Sequence, residues 1–167
     1  MVAKKWTVEI FNNDINSEEA VPLALELIEN MRPQDLEDIK ATGQDEGFMI
    51  IKCLRMSEET RIYRGEDGKL LCLLGKGFPS WSAPGRSIWM IGTNELYNGY
   101  AKELLFKEAR KVLNDWKREH GILHNAVYEG NRKSIQYLTR LGAVFLPEVM
   151  ISEGNRFYSF YMAYKGE

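Results

Sequence analysis

Apolar positions return along this chain at every second residue in some stretches and at every third or fourth in others, and the switches between the two periods predict its elements. Residues 6–11 set Trp6, Val8 and Ile10 against Thr7 and Glu9, the pattern of a strand, and Asn12-Asn13-Asp14 ends it with turn chemistry. Ser17 ahead of Glu18 and Glu19 opens a helix, in which Val21, Ala24, Leu25 and Ile28 recur at helical spacing as far as Met31. Pro33 limits that helix and starts a short acidic one over residues 34–42, stopped by Gly43; residues 48–56 predict a third, more apolar helix. From Thr60 the period is two. Residues 61–63 and 70–74 flank Gly65-Glu66-Asp67-Gly68, and Asp-Gly between apolar runs signals a hairpin. Residues 77–85, with two prolines, read as a loop, and residues 86–92 (RSIWMIG) as a central strand buried on both faces. A long helix follows over residues 100–119, with Leu104, Leu105, Ala109, Val112, Leu113 and Trp116 on one face.

The stretch 121–145 organises the rest. It reads as a strand (122–127), a Glu129-Gly130 turn, a helix opened by Asn131 and stopped at Gly142, and a further strand. A strand that leaves through a polar turn into a helix exposes main-chain N–H and C=O groups, so a ligand site is sought there first. Strands over 144–151 and 157–164, joined by Ser152-Glu153-Gly154-Asn155, complete the chain. This order predicts an α+β (α/β) domain: one mixed, largely antiparallel sheet of about six to seven strands with helices on its faces. The step around residues 100–119 is expected to be a right-handed crossover. A length of 167 residues fits a single domain over 1–167.

Composition narrows the function classes. A net charge of −2 gives no field for holding nucleic acid or an anionic membrane surface. Cys53 and Cys72, far apart and in apolar surroundings, read as free thiols of a reducing compartment, and two Cys with two His at these spacings make no metal cluster. No run has signal-peptide length, and none approaches the ~20 apolar residues of a membrane span. The expectation is a cytoplasmic protein.

The segment Asn131-Arg-Lys-Ser134-Ile-Gln-Tyr137-Leu-Thr-Arg-Leu-Gly142 and the order of elements resemble the second half of a GNAT-type (Gcn5-related) N-acetyltransferase. Leu96-Tyr-Asn-Gly99-Tyr-Ala101 falls in register with that family's pyrophosphate turn, and MRPQDLEDI, IWMIGT and NRKSIQYLTRLGAVF are similar to small GNAT-like proteins of short-tailed bacteriophages, some described as internal virion or head-assembly proteins. The resemblance implies acetyl-CoA or CoA as cofactor. Its arm would lie along the central strand at Met90, Ile91 and Gly92, its phosphates on Asn98, Gly99, Tyr100, Ala101 and Lys102, with Asn131 and Ser134 nearby. Independently of any family, successive N–H groups at the positive end of a long helix suit an anion, and Gly99 and Ala101 keep side chains away from it. The same turn also reads as a plain strand-to-helix connection.

Two departures from the family pattern stand out. Leu96 replaces a polar residue of the phosphate turn, and the family's Tyr falls at Leu138, with Tyr137 about 100° away on the helix. Acyl transfer to an amine needs a base. Glu95, Glu129 and His124 are candidates, though they read first as solvated loop carboxylates and a sheet histidine, and Tyr137 is the nearest acid. Asn131 reads first as a helix cap. The resemblance thus implies an N-acyltransferase acting by direct attack of an amine on acetyl-CoA. The alternative is an inactive phage protein on the same scaffold that binds a host protein or serves virion assembly, in the host cytoplasm.

Overall fold

The computed structural model describes residues 4–13 and 15–166; Met1–Ala3, Asp14 of the predicted Asn-Asn-Asp turn and Glu167 lie outside the described residues. Seven strands form one sheet: β1 (Trp6–Asn12), β2 (Ser57–Gly65), β3 (Leu70–Gly77), β4 (Arg86–Gly92), β5 (Ile122–Tyr128), β6 (Val144–Ser152) and β7 (Asn155–Ala163), in spatial order β1-β2-β3-β4-β5-β7-β6. Every neighbouring pair is antiparallel except β4 and β5, which run parallel across the long-helix crossover. The mixed, largely antiparallel α/β domain expected from the sequence is the fold observed.

Three helices, α1 (Ser17–Glu29), α2 (Pro33–Ala41) and α3 (Glu46–Arg55), cover one face of the sheet. Leu23, Leu27, Ile50 and Leu54 pack there against Leu73 and Ile91. The cap of α1 is Asn16, one residue before the predicted Ser17: its side chain accepts from Glu19 N. Asp45 caps α3 in the same way, from Phe48 N. The other face carries the long helix α4, built of an α turn Ala101–Glu103, a π segment Leu104–Glu108 and an α stretch Ala109–His120. It also carries α5 (Arg132–Arg140). Leu104, Val112, Leu113 and Trp116 meet Tyr63, Leu71 and Leu123 in this second core. β3 is buried along its whole length, as a strand between two covered faces must be.

β2 begins at Ser57, earlier than its apolar pattern predicts. Glu58 and Glu59 mask it in the sequence, and both are held by cations within the fold: Glu58 by Arg86 at 3.1 Å and Lys76 at 3.4 Å, Glu59 by Arg61 at 2.7 Å. Lys76 is buried, with Nζ 2.6 Å from His120 Nε2 and 5.4 Å from the Trp116 ring centroid. Burial, and then the charges of Lys76 and Arg86, hold the His120 pKa below its ordinary value. The unfolded chain takes up a proton on His120 at about pH 6.5, where the folded chain does not. Stability from this group is therefore complete above that pH and is lost as the pH falls toward the depressed folded value. Urea unfolding should show a lower midpoint at pH 5 than at pH 7.5, and His120→Gln should flatten that slope; equal slopes in the two proteins would contradict this.

Candidate active site

β4 and β5 pair only at Arg86↔Leu123 and Ser87↔His124, and then part. Where the next rung would form, the Asn125 side chain donates to the Ile88 carbonyl and accepts from Ala126 N at 2.7 Å. Thr93 N donates to Leu71 O on the other side of β4, which sets the alternation along the strand. Trp89 and Ile91 direct their main-chain groups to β3, whereas Ile88, Met90 and Gly92 direct theirs into the gap. Gly92 is already engaged: its N–H donates to Asp35 Oδ2 at 2.7 Å and its carbonyl accepts from Arg32 N at 2.9 Å. Met90 is left facing the opening.

The gap opens into a cavity of about 450 Å³ that passes between the strands. On the α5 side it is lined by Leu113, Ser134, Tyr137, Leu138 and Leu141, and on the α2–α3 side by Asp38, Ile39, Met49, Cys53 and Trp89. Burial pushes the Cys53 thiol up to about 11, so it is a neutral wall group near neutral pH.

Helix α2 is strapped across the open end. Arg32 and Asp35, both buried, form a forked pair at 2.7 and 3.1 Å. Burial works against the Arg32 charge, but the Asp35 carboxylate more than offsets this and raises its pKa. One turn on, Asp38 Oδ2 accepts from Asn131 Nδ2 at 3.1 Å and Tyr128 N at 3.4 Å, tying α2 to the end of β5 and the start of α5. Its Oδ1 has no hydrogen-bond partner among the described residues. Burial raises the Asp38 pKa above the ordinary carboxylate value, against the two hydrogen bonds that lower it.

Beyond Gly92 the chain makes a 3₁₀ turn, Asn94–Tyr97, before α4. Asn98 N and Tyr100 N donate back to Glu95 O and Leu96 O within this turn. The N–H groups of Gly99, Ala101, Lys102 and Glu103 have no partner among the described residues. Gly99 has φ +94, a conformation that disfavours any side chain, and the Lys4 side chain lies 3.3 Å from where its β-carbon would be. Asn98 and Gly99 are exposed, so the turn is open on one side and flanked by Lys4 and Lys102. Leu96 is buried in the core rather than at the turn's surface. Tyr97 OH accepts from Arg32 Nη1 at 3.3 Å and Gln34 Nε2 at 2.9 Å, a second fastening of α2.

The remaining sequence candidates fall in different places. Glu95 accepts from Asn98 Nδ2 at 3.0 Å, outside the cavity lining. Glu129 accepts from Tyr158 OH at 2.9 Å and pairs with Arg156 at 2.8 Å, also outside it. His124 sits at the β4–β5 root, its pKa lowered by burial. Asn131 is the cap of α5, accepting from Ser134 N at 3.2 Å, and both residues line the cavity. Leu138 lines it too, presenting a methyl-ended side chain to the opening. Tyr137 OH donates to Leu105 O at 2.6 Å, a carbonyl in the π segment of α4. Burial pushes its phenol pKa well up, which keeps it a neutral donor. Tyr137→Phe should lower unfolding stability by about 1–3 kcal/mol by stranding that carbonyl; a loss below a few tenths, measured by urea unfolding, would contradict this role.

Arg32, Asp35 and Asp38 were not among the residues singled out from the sequence. Their spacing, three apart on an acidic helix, places them on one stripe beside Ile39, and that stripe is the one available signal.

No protein-family model matches the chain, and no curated protein matches it in sequence. Solved structures do match in shape. The aminoglycoside N(6′)acetyltransferase of Legionella pneumophila is similar with a TM-score of 0.63 over 98% of this chain and 94% of that one, at 12% identity. Spermidine N-acetyltransferase of Vibrio cholerae, in complex with CoA and spermine, gives 0.62 over 95% of both chains at 10% identity. A GNAT-family acetyltransferase of Streptococcus pneumoniae gives 0.56 over 94% and 99%, at 14% identity. This is the GNAT fold. Against two chimeras of the Vibrio enzyme, at a TM-score of 0.50, the chain spans 66% and 64% of their length. The parted β4 and β5, with the cavity between them and the head of α4 beside them, are the candidate site. No helix among the described residues is long and apolar enough to cross a membrane, and no group of His, Cys, Asp and Glu among them could hold a metal ion.

Proposed function

We propose that the chain is an N-acyltransferase that takes its acyl group from acetyl-CoA and passes it to an amine. The observation that carries this reading is the parting of β4 and β5 after two residue pairs, with Met90 facing a cavity of about 450 Å³. An amide of the cofactor's arm can add to Met90 as a strand would. The N–H groups of Gly99, Ala101, Lys102 and Glu103, without a partner among the described residues and with Lys4 beside them, suit its phosphates. Gly92 does not fit this use, because α2 holds both its main-chain groups; the strand edge offered is Met90 alone. When bound, acetyl-CoA supplies an activated thioester. Of the chain's own groups, Asp38 Oδ1 is the carboxylate oxygen open to the cavity, able to take a proton from the acceptor, while the apolar α5 wall excludes water.

A second reading is a protein on the same fold that binds a host or virion partner without transferring an acyl group. Leu138 at the cavity wall, Tyr137 committed to Leu105 and Gly92 capped by α2 favour it. One pair of experiments separates the two. Acetyl-CoA at 100 times its dissociation constant should add about 2.7 kcal/mol of apparent stability, and primary amines should then release free thiol. Binding without thiol release from any primary amine supports the second reading; no stabilisation at millimolar acetyl-CoA removes the first.

A further inference from the structure

The cavity has two unlike ends, and the end between α2 and α3 has its own recognition chemistry. Its walls are mostly apolar and soft, Ile39, Met49, Trp89, Met150 and Phe157, with the neutral Thr42, Gln44 and Ser152 among them. The ionisable lining groups are few. Arg32 and Asp35 neutralise each other in their forked pair, and the Cys53 and Tyr137 protons are held by burial. Asp38 is what remains, with Oδ2 fixed by Asn131 and Tyr128 and Oδ1 uncommitted. One anionic oxygen at the rim of an apolar chamber is a site for one positive charge on an apolar body.

We infer that this α2–α3 lobe binds a monoamine with an aromatic or branched apolar body, its ammonium on Asp38 and its body against Met49, Trp89 and Phe157. A polyamine would bring further positive charges to a lobe whose polar lining beyond Asp38 is neutral, the side chains of Thr42, Gln44 and Ser152. Such a ligand is therefore selected against. The inference deepens the acyl-transfer reading by naming the acceptor's class, and it rests on that reading for the ligand's use but not for its binding.

The test is a calorimetric titration of the full chain, without CoA, using phenethylamine, spermidine and 2-phenylethanol as probes. Phenethylamine should bind saturably, and the other two at least about tenfold more weakly, the loss expected for one charge-assisted hydrogen bond or for unpaired charge in the lobe. Asp38→Asn should weaken phenethylamine by a similar factor. Because that change also touches Asn131 and Tyr128, Met49→Lys provides a second variant: it places a cation in the lobe from a half-buried position and leaves the Asp38 bonds alone. It too should lose at least about tenfold. Spermidine binding as tightly as phenethylamine, or phenethylamine affinity unchanged in both variants, would overturn the inference. A parallel titration with acetyl-CoA keeps the two readings apart: amine binding without acetyl-CoA binding upholds the lobe and removes acyl transfer, and the reverse removes the lobe alone.

Discussion

Asp35→Ala is expected to lower the free energy of unfolding by about 3–5 kcal/mol, the range for breaking one side of a buried ion pair. Three contacts go at once: Arg32 Nε at 2.7 Å, Arg32 Nη2 at 3.1 Å and the Gly92 N–H at 2.7 Å. The guanidinium stays buried without its counter-charge, and Gly92 is left with an unmet donor at the end of a central strand. Removing both charges together should hurt less, because a methionine and a leucine leave no unpaired ion. Arg32→Met with Asp35→Leu is therefore expected to be more stable than Asp35→Ala in urea unfolding. A single-variant loss under about 1 kcal/mol, the level of an exposed pair, would show that α2 is not fastened to β4 through this residue.

Gly85→Ala should be comparably damaging, by about 3 kcal/mol, for a reason of shape. Gly85 has φ +74, and a β-carbon there would run into the carbonyl oxygen of Ile122, a main-chain group that cannot turn aside. The collision lies next to Arg86↔Leu123, one of the two residue pairs that join the halves of the sheet. Gly68→Ala separates strain from collision: Gly68 has φ +84 but open space around it, so only the left-handed backbone penalty of about 1 kcal/mol applies. Hydrogen exchange should show the Ser87 and His124 region opening in Gly85→Ala and unchanged in Gly68→Ala. Equal stability of the two variants would mean that the β4–β5 root tolerates displacement.

Much of the fold was legible because its signals are local. The Asp67-Gly68 hairpin, the six-position apolar face of α4 and the unbroken run of β4 are all set by near neighbours, and each lies where its pattern predicted. β2 was foreshortened because Glu58 and Glu59 look like loop residues until Arg86 and Lys76 are brought to Glu58 from elsewhere in the chain and Arg61 pairs with Glu59 along the strand. The π segment in α4 was hidden for the same reason, since Tyr137, thirty-two positions away, is what satisfies Leu105 O. At the site, the Asn131 cap of α5 followed from its place ahead of the helical run. The strap did not. Residues 34–42 read as a short acidic helix, and only the meeting of Asp35 with Gly92 and of Asp38 with Asn131 turns that acidic stripe inward.

In the proposed acyl-transfer reaction, an acyl-CoA seats its phosphates on the N–H groups at the head of α4, with its arm beside Met90. Calorimetric titration of acetyl-CoA into the wild-type chain and into Gly99→Glu measures this most directly. One saturable site is predicted for the wild type. The variant, which sets a carboxylate against the phosphates, should bind more than about a hundredfold more weakly. No heat of binding at millimolar acetyl-CoA, or equal affinity in the two proteins, would contradict it.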